Sequence, residues 1–349
     1  MLTGYIEGYY GVELSWKERN SIISKLHEVG CNTYFYCPKE DPYHRVKWKD
    51  DYPIGWIEDF KKFKSNADNA SIDIIFGISP GASLELNDFE YLERKIGIFK
   101  ELSIKDFCIL FDDIPKEKEQ FCLHREVLEL CLEKFPDINL SCVPSQYCKH
   151  MVENSNNDYL AELDKVDISI PFFWTGNQVI TSNYSDNNVD SWKELFCEDR
   201  DLIIWDNTFA NDYCVPKIVM QNFDGFFSKD YKKVSGFLLN ASGIELIDLI
   251  AIEILGNTLK ENHKTLEDIL KDRGFPKELI NLSHFFKINI SSSFSDDEKK
   301  DLDFLLWNWN GKNKKFFYPY LHQLNQIFNE TDKHEINGCL LYTSDAADE

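Results

Sequence analysis

The sequence has few positive charges for its length. Its 349 residues include 38 lysines and arginines against 60 aspartates and glutamates, for a formal net charge of −22. An acidic surface repels phosphate groups, so this balance argues against binding to nucleic acid and to anionic membranes. We therefore expect no nucleic-acid partner and no membrane partner, whereas a neutral substrate is compatible with the charge.

Long apolar runs and paired cysteines are also lacking. No apolar run approaches the roughly eighteen residues of a membrane span, and the N-terminal sequence MLTGYIEGYYG has neither the basic nor the apolar region of a signal peptide. The ten cysteines form no C-x-x-C motif. Cys37, Cys108 and Cys142 lie inside apolar runs, which predicts buried free thiols. Together these features predict a cytoplasmic protein.

The motifs that hold metals and phosphates are missing as well. The eight histidines form neither H-x-H nor H-E-x-x-H, and no glycine-rich loop leads into a helix with Lys-Ser or Lys-Thr. Asp112 and Asp113 could together hold Mg²⁺, but no ladder of further carboxylates stands beside them. We therefore predict no metal and no cofactor, with a divalent-metal hydrolase as an alternative interpretation.

Short apolar runs alternate with helical patterns along most of the chain. The strand candidates are 3–7, 33–37, 72–78, 107–111, 138–143, 168–174, 202–205 and 235–239. The clearest helix follows the capping-box pair Ser15 and Glu18 and ends at Gly30, whereas the pattern around 216–223 is weak. Eight alternations without hairpin signals predict an α/β fold, a (β/α)8 TIM barrel. An open doubly wound sheet is the alternative, although its G-x-G-x-x-G fingerprint is absent.

The pattern changes after Gly256. We predict a catalytic barrel over residues 1–256 and, because strand signals are then lacking, a helical C-terminal region over residues 257–338 packed on that barrel. Residues 339–349 read CLLYTSDAADE, which resembles a translated sequencing adapter. We therefore expect this tail to be foreign and the helical region to be truncated.

Polar side chains follow the carboxyl ends of the predicted strands, where a TIM barrel carries its active site. The pair Asp112 and Asp113 is compatible with an ordinary solvated turn, or with an acid and a base in one pocket. The set at the strand ends includes Gly8, Lys39, Asp112, Asp113, Tyr147, Thr175, Trp205, Asn207, Asp212 and Asn240. Carboxylates, amides and aromatic faces on one rim suit a neutral ligand with many hydroxyl groups.

The motifs EGYYG, CPKEDPYHR, LFDDIP, WTG, WDN and NDY, followed by Asn240, stand in the order found in glycoside hydrolase family 84, which this sequence resembles. The resemblance spans residues 4–256. It implies a retaining β-N-acetylglucosaminidase, such as the O-GlcNAcases that remove N-acetylglucosamine from serine and threonine of glycoproteins. In that mechanism the acetamido oxygen of the substrate is the nucleophile, and an oxazoline forms. Asp112, ionised, would polarise the acetamido N–H, and Asp113, protonated at first, would protonate the leaving oxygen.

The resemblance also implies roles for eight further residues. The Gly8 carbonyl and Lys39 would bind sugar hydroxyls, and Tyr147 would bind the acetamido group or the reacting centre. The remaining roles are a wall around the acetyl methyl for Thr175 and Trp205, an acetamido contact for Asn207, and the far hydroxyls for Asp212 and Asn240. The sequence departs from the usual family pattern at Tyr9, at Ser145-Gln146 and at Ala241.

Two alternatives remain open at this point. One is a barrel that binds amino sugars with weak or no catalysis. The other is a hexosaminidase that acts on fragments of hyaluronan, chitin or peptidoglycan. The aspartate pair argues against the first, because a binding protein has no need of an acid.

Overall fold

A computed structural model describes residues 1–330 except 116–119, 156–157, 182–183, 185, 197–199, 224–232, 261, 263 and 289–294. Its centre is a closed barrel in which each strand pairs in parallel with its neighbours in the chain and the last pairs with the first. The strands are β1 (Leu2–Glu7), β2 (Thr33–Tyr36), β3 (Asp73–Ile78), β4 (Asp106–Leu110), β5 (Asn139–Val143), β6 (Phe172–Trp174), β7 (Leu202–Asp206) and β8 (Gly236–Asn240). The predicted TIM barrel is confirmed, and the doubly wound alternative is wrong.

Strand β6 is shorter than the predicted 168–174. The N–H of Ile170 donates to the carbonyl of Asp167, and the N–H of Ser169 donates to the Asp167 carboxylate, so residues 167–170 form a turn. Pro171 has no N–H to offer to a neighbouring strand. The barrel consequently has only the pair Cys142 and Phe172 in register between β5 and β6.

Helices follow the strands on the outside of the barrel. They are α1 (Trp16–Val29), α2 (Ile54–Asn69), α3 (Phe89–Glu101), α4 (Phe121–Lys134), α5 (Lys149–Glu153), α6 (Tyr159–Leu163), α7 (Asp186–Lys193) and α8 (Glu245–Leu259). The predicted capping box of Ser15 and Glu18 starts α1, and Gly30 ends it with a φ of 81°. The weak helix around 216–223 does not form, because the Met220 N–H donates to the Phe286 carbonyl instead.

The barrel interior is filled by every second residue of each strand. One cluster of buried apolar side chains contains Ile6, Phe35, Cys37, Ile75, Cys108, Leu110, Val143, Phe173, Ile203, Trp205 and Leu238. The alternate residues of the same strands, such as Phe107 and Ile109, belong to the larger cluster between strands and helices. Cys37, Cys108 and Cys142 are buried free thiols, as predicted.

Helices without strands make up the described part of the chain after α8. They are α9 (Leu266–Asp272), α10 (Lys277–Asn281), α11 (Asp296–Asp303) and α12 (Lys314–Glu330), with a 3₁₀ turn at Ser283–Phe286 and a π-helical turn at Phe304–Asn308. Their apolar residues join the cluster outside the barrel strands, which confirms a helical region packed on the barrel. Because α8 runs through residue 256, no break marks the proposed division there, and the limits at 256 and 338 stay predictions. Residues 339–349 lie outside the described residues.

None of the helices that the structure describes is both long and apolar enough to cross a membrane.

Candidate active site

Side chains alternate between the inside and the outside of the barrel along each strand, and this alternation places the site residues together at one end of the barrel. In β4 the inward positions are Cys108 and Leu110, so the next inward position is Asp112. The same step of two residues leads from Cys37 to Lys39, from Phe173 to Thr175 and from Leu238 to Asn240. It also leads from Ile6 to Gly8 and from Trp205 to Asn207. The predicted side chains therefore cap the inner cluster at the carboxyl end of the barrel.

Lys39 is the shared counter-ion of the two aspartates. Its ammonium contacts Oδ2 of Asp112 directly and lies 3.3 Å from Oδ2 of Asp113. The Lys39 side chain is only 2% exposed, against 8% for Asp112 and 29% for Asp113. The two carboxylates thus differ in burial, with Asp113 on the solvent side.

Asp112 has one carboxylate oxygen engaged and one unengaged. Oδ2 accepts from Lys39, whereas Oδ1 is buried and has no hydrogen-bond partner among the residues that the structure describes. A buried carboxylate oxygen without a donor is costly, because it has lost its water without replacement. Oδ1 is therefore a preformed acceptor for an N–H or O–H of a bound molecule.

Asp113 owes its position to a turn of the backbone. Its φ of 55° lies in the left-handed region, which redirects a side chain that strand alternation would turn toward the helices. Oδ2 accepts from the Tyr10 hydroxyl at 2.7 Å, and Oδ1 accepts from the Tyr147 hydroxyl at 3.3 Å. The turn thus brings two consecutive carboxylates to one lysine.

The surroundings shift the pKa values of the two carboxyls in opposite directions. Burial raises the pKa of Asp112, although Lys39 opposes it. Burial acts in the same direction on Asp113, but the Lys39 ammonium and the Tyr10 hydroxyl outweigh it and hold the pKa of Asp113 below its usual value. The ionised Asp112 and protonated Asp113 expected from the family resemblance concern the complex with substrate, and this division stays a prediction.

A network of amides and an indole lies opposite the aspartates. Oδ1 of Asn207 accepts from Nε1 of Trp205 at 2.8 Å and from Nδ2 of Asn240 at 2.9 Å. Oδ1 of Asn240 in turn accepts from the N–H of Gly8 at 3.1 Å. Both amide oxygens are thus occupied, and the two side chains can offer only N–H groups to a ligand.

Gly8 is packed closely against Trp205. A Cβ atom on Gly8 would lie 2.4 Å from Cζ2 of Trp205 and 3.1 Å from Oδ1 of Asn240. The expected reason for this glycine, room for a substrate at its carbonyl, is therefore supplemented by a packing constraint inside the protein.

Contacts join all ten predicted residues into one site. Nζ of Lys39 lies 6.0 Å from the centre of the Trp205 ring, which connects the aspartates to the amide network. The N–H of Thr175 donates to the Tyr147 carbonyl at 2.9 Å. Asp212 joins through Oδ2, which accepts from the N–H of Tyr10 at 2.8 Å.

Two residues of the site received no role from the sequence. Tyr10 bonds to Asp113 and Asp212, and Arg45 bonds to the Tyr10 hydroxyl and to the Asp113 carbonyl. Both stand in strand-end motifs, EGYYG and CPKEDPYHR. Their position was therefore visible in the sequence, but the contact between the two loops was not.

The cation between the aspartates is an amino acid side chain. Lys39 occupies the place where a divalent ion would have to bridge the carboxylates, and its positive charge would repel such an ion. Within the described parts of the chain no group of three or more histidine, cysteine, aspartate and glutamate side chains is placed to hold a metal ion.

Comparison with known proteins places the chain in a family. The model of the beta-N-acetylglucosaminidase family matches residues 3–268. Two curated relatives, the Protein O-GlcNAcase of Rattus norvegicus and that of Mus musculus, are each 27% identical over 280 residues, which cover 75% of this chain. The chain spans 30% of the length of these relatives.

Solved structures share the fold. One, described as the structure of CpGH84B, has a TM-score of 0.75 at 22% identity and covers 97% of this chain and 64% of its own. Another, a mutant of the Thermobaculum terrenum O-GlcNAc hydrolase, has a TM-score of 0.79 at 20% identity and covers 94% of this chain and 82% of its own. At these identities the likeness concerns the fold alone.

Proposed function

Because the chain belongs to the β-N-acetylglucosaminidase family, we propose that it is a retaining exo-β-N-acetylglucosaminidase that removes terminal β-linked N-acetylglucosamine by substrate-assisted catalysis. The observation that carries this proposal is the buried, unpartnered Oδ1 of Asp112 next to a second carboxylate. An acetamido N–H is a donor of the kind that this oxygen lacks.

In the first step the acetamido carbonyl oxygen of the substrate attacks the anomeric carbon. The bond from that carbon to the leaving oxygen breaks, and Asp113 gives its proton to the leaving oxygen. Asp112 accepts the acetamido N–H and stabilises the positive charge that develops as the oxazoline ring closes. The protein itself supplies no covalent nucleophile, which distinguishes this scheme from the usual pair of carboxylates.

Substrate binding supplies the protonation state that this step requires. A hydrogen bond from the acetamido N–H to Oδ1 favours the charged form of Asp112 and lowers the pKa of that carboxyl. In a pair that shares one proton, the proton then moves toward Asp113. The low pKa of Asp113 in the protein without substrate is thus compatible with its role as an acid once the sugar is bound.

In the second step Asp113 acts as a base. It takes a proton from a water molecule, whose oxygen bonds to the anomeric carbon while the bond to the acetamido oxygen breaks. N-acetylglucosamine leaves with its original configuration after two inversions. The position of Asp113 on the solvent side of the pair suits this role, since water and the aglycone both approach from there.

The other residues hold the sugar. Lys39, with three N–H donors and two carboxylate contacts, keeps one donor for a ring hydroxyl. Asn207 and Asn240 donate to oxygen atoms, because their own oxygens are occupied. The hydroxyl of Thr175 donates to the Gln178 carbonyl at 2.8 Å and is therefore already engaged. The methyl group of Thr175 and the ring of Trp205 then form the apolar wall that contacts the acetyl methyl of the substrate.

Further roles follow the family resemblance. Asp212 binds far hydroxyls, the Gly8 carbonyl accepts from one, and Tyr147 binds at the reacting centre. The name of the curated relatives, Protein O-GlcNAcase, favours a glycoprotein over a glycan fragment as the substrate. A cytoplasmic location stays a prediction from the sequence.

Hydrolysis of three aryl glycosides tests the proposed activity. We expect turnover of the aryl N-acetyl-β-glucosaminide and none of the aryl β-glucoside, because only the former carries the acetamido nucleophile. The N-acetyl-β-galactosaminide differs by the inversion of one hydroxyl, so its turnover relative to the glucosaminide measures how strongly activity depends on contacts with the far hydroxyls. Equal turnover of glucoside and N-acetylglucosaminide would contradict substrate assistance.

Calorimetry with a non-hydrolysable thiazoline separates an enzyme from a binding protein. Both bind the thiazoline, but only the enzyme turns over the aryl N-acetylglucosaminide. Binding without turnover in the wild-type protein would favour the barrel that binds amino sugars.

A further inference from the structure

Three loops meet at Asp113 through one arginine. Arg45, in the loop after β2, donates from Nη1 to the hydroxyl of Tyr10 in the loop after β1. It donates from Nη2 to the main-chain carbonyl of Asp113 in the loop after β4, at 3.2 Å. The Tyr10 hydroxyl in turn donates to Oδ2 of Asp113, so it links Arg45 to that carboxylate. Arg45 thus holds both the backbone and, indirectly, the carboxylate of the same residue.

The Asp113 backbone needs such support. A residue with a side chain keeps a left-handed backbone, such as the φ of 55° at Asp113, only where its surroundings hold it there. The bond from Arg45 to the Asp113 carbonyl acts on that peptide unit. Without it the turn could relax and carry the carboxylate away from Lys39 and Tyr10.

Arg45 and Tyr10 are themselves anchored. Next to Arg45, the buried His44 donates from Nδ1 to the Gly77 carbonyl at 3.0 Å, and its own carbonyl accepts from the Ser79 N–H. Burial lowers the pKa of His44 to about 3, so this ring is neutral. Tyr10 is held by the bond from its N–H to Asp212. These hydrogen bonds hold both the backbone next to Arg45 and its partner Tyr10 in place.

On the premise of the proposed function, we propose that Arg45 is a positioning residue for the catalytic acid, which it orients through the Tyr10 hydroxyl and the Asp113 carbonyl. A planar guanidinium can donate in two directions at once, whereas a lysine ammonium at this position offers the charge without the fork. The arginine acts on the acid without itself exchanging a proton with substrate.

Leaving-group dependence gives the first test. Aryl N-acetyl-β-glucosaminides with acidic phenols need little help from an acid, whereas those with weakly acidic phenols depend on a well-placed one. For Arg45→Met we expect kcat/KM to fall roughly tenfold or more for weakly acidic phenols and by much less for acidic ones. A fall of equal size for all phenols, or no fall, would overturn the proposal.

Two variants control this result. Arg45→Lys keeps the positive charge and loses the double contact, so we expect the same selective loss in smaller degree. Arg94→Met removes another arginine with one carbonyl and one carboxylate contact, to Lys49 and Asp51, and should behave as the wild type. A selective loss in Arg94→Met would point to a general effect on the fold and would count against Arg45.

A titration that needs no turnover gives the second test. The groups that face Asp113 are Lys39, Asp112, Tyr10, Arg45, Tyr147 and Asp212. In ¹³C NMR of the aspartate carboxyls, Arg45→Met should raise the pKa of Asp113, because it removes a nearby positive charge and releases the Tyr10 hydroxyl. Arg45→Lys should leave it nearer the wild-type value. An unchanged Asp113 in Arg45→Met would overturn the proposal.

The two tests separate the premise from the inference. If the wild-type protein hydrolyses none of the aryl glycosides, the proposed function fails, and the NMR titration still decides whether Arg45 positions Asp113. If the wild type is active and the variants show no selective loss, the proposed function stands and the positioning role fails. Thermal unfolding of each variant checks that it is folded under the conditions in which it is compared with the wild type.

Discussion

Nζ of Lys39 lies 3.3 Å from Oδ2 of Asp113, and because it also contacts Asp112, one buried ammonium is the counter-ion of two neighbouring carboxylates. Removing it leaves two like charges together in a space with little water. The pKa of both carboxyls should then rise, since each loses an attractive charge and keeps a repulsive one.

For Lys39→Met we therefore expect kcat/KM to fall on the order of 100-fold, the usual effect of losing one buried donor at a reacting centre. The basic limb of the pH profile of kcat/KM should move to higher pH, because the acid stays protonated further. Lys100→Met, which removes a surface lysine paired with Asp137, is the control and should match the wild type. An unshifted basic limb would contradict this account of Lys39.

Gly8 and Trp205 give a second prediction. A Cβ atom 2.4 Å from Cζ2 would push the indole, which packs against Phe35 and Phe173 at centroid distances of 5.7 and 6.0 Å. In Gly8→Ala we expect KM to rise several-fold as the acetyl wall shifts, and the free energy of unfolding to fall by roughly 1–3 kcal/mol.

A matched glycine serves as control for this variant. A Cβ atom on Gly97, in helix α3, meets no atom within 4 Å. Gly97→Ala should leave KM unchanged and stabilise the protein by roughly 0.5–1 kcal/mol, because alanine favours the helix. Wild-type KM and stability in Gly8→Ala would show that Trp205 can move without consequence.

The sequence predicts the barrel and the rim of the site because both follow from short-range regularities. Alternating apolar runs define the strands, and the same alternation, continued by two residues, leads to Lys39, Asp112, Thr175 and Asn240. No long-range information is needed for either inference. The short β6 shows the limit, since the turn at 167–170 is made by the side chain and carbonyl of Asp167.

What could not be predicted depends on distances between loops. The left-handed backbone of Asp113 is an uncommon state for aspartate, and the contact from Arg45 that supports it comes from another loop. The pKa shifts of the two carboxyls depend on how far Lys39 and Tyr10 lie from each of them, and no sequence motif specifies these distances. The tight packing of Gly8 on Trp205 likewise appears only when β1 and β7 are placed together.

A third prediction concerns Asp206, which strand alternation directs away from the site. Oδ1 accepts from the hydroxyls of Tyr184 and Thr208, each at 2.6 Å, whereas Oδ2 is buried without a partner in the described part of the chain. Burial raises the pKa of Asp206 to about 6. Below the ordinary aspartate pKa of about 4 the group is neutral in both folded and unfolded chains and costs nothing.

As the pH rises from about 4 to about 6, the unfolded chain releases this proton first and the folded protein loses stability. The loss from Asp206 should reach roughly 3 kcal/mol and then level off. In Asp206→Asn the free energy of unfolding, measured by urea denaturation, should fall by that much less over this range. Asp59→Asn, at an exposed position of α2, should follow the wild-type curve. Identical curves for Asp206→Asn and the wild type would contradict a buried acid at this position.

The fourth prediction separates the two aspartates by their partners. Asp113→Asn removes the acid, so kcat/KM should fall roughly 10²–10⁴-fold for aryl N-acetylglucosaminides with weakly acidic phenols. With strongly acidic phenols, which leave without a proton, much of the rate should return. Asp112→Asn replaces the acceptor for the acetamido N–H with a group that cannot carry the compensating charge. Because that charge is needed whichever phenol leaves, its loss should be similar across the series. Steady-state kinetics on the same phenols for both variants checks this difference. The assignment of the two roles would be reversed if the activated phenol rescued Asp112→Asn instead, and the proposed mechanism would fail if both variants kept the wild-type rate.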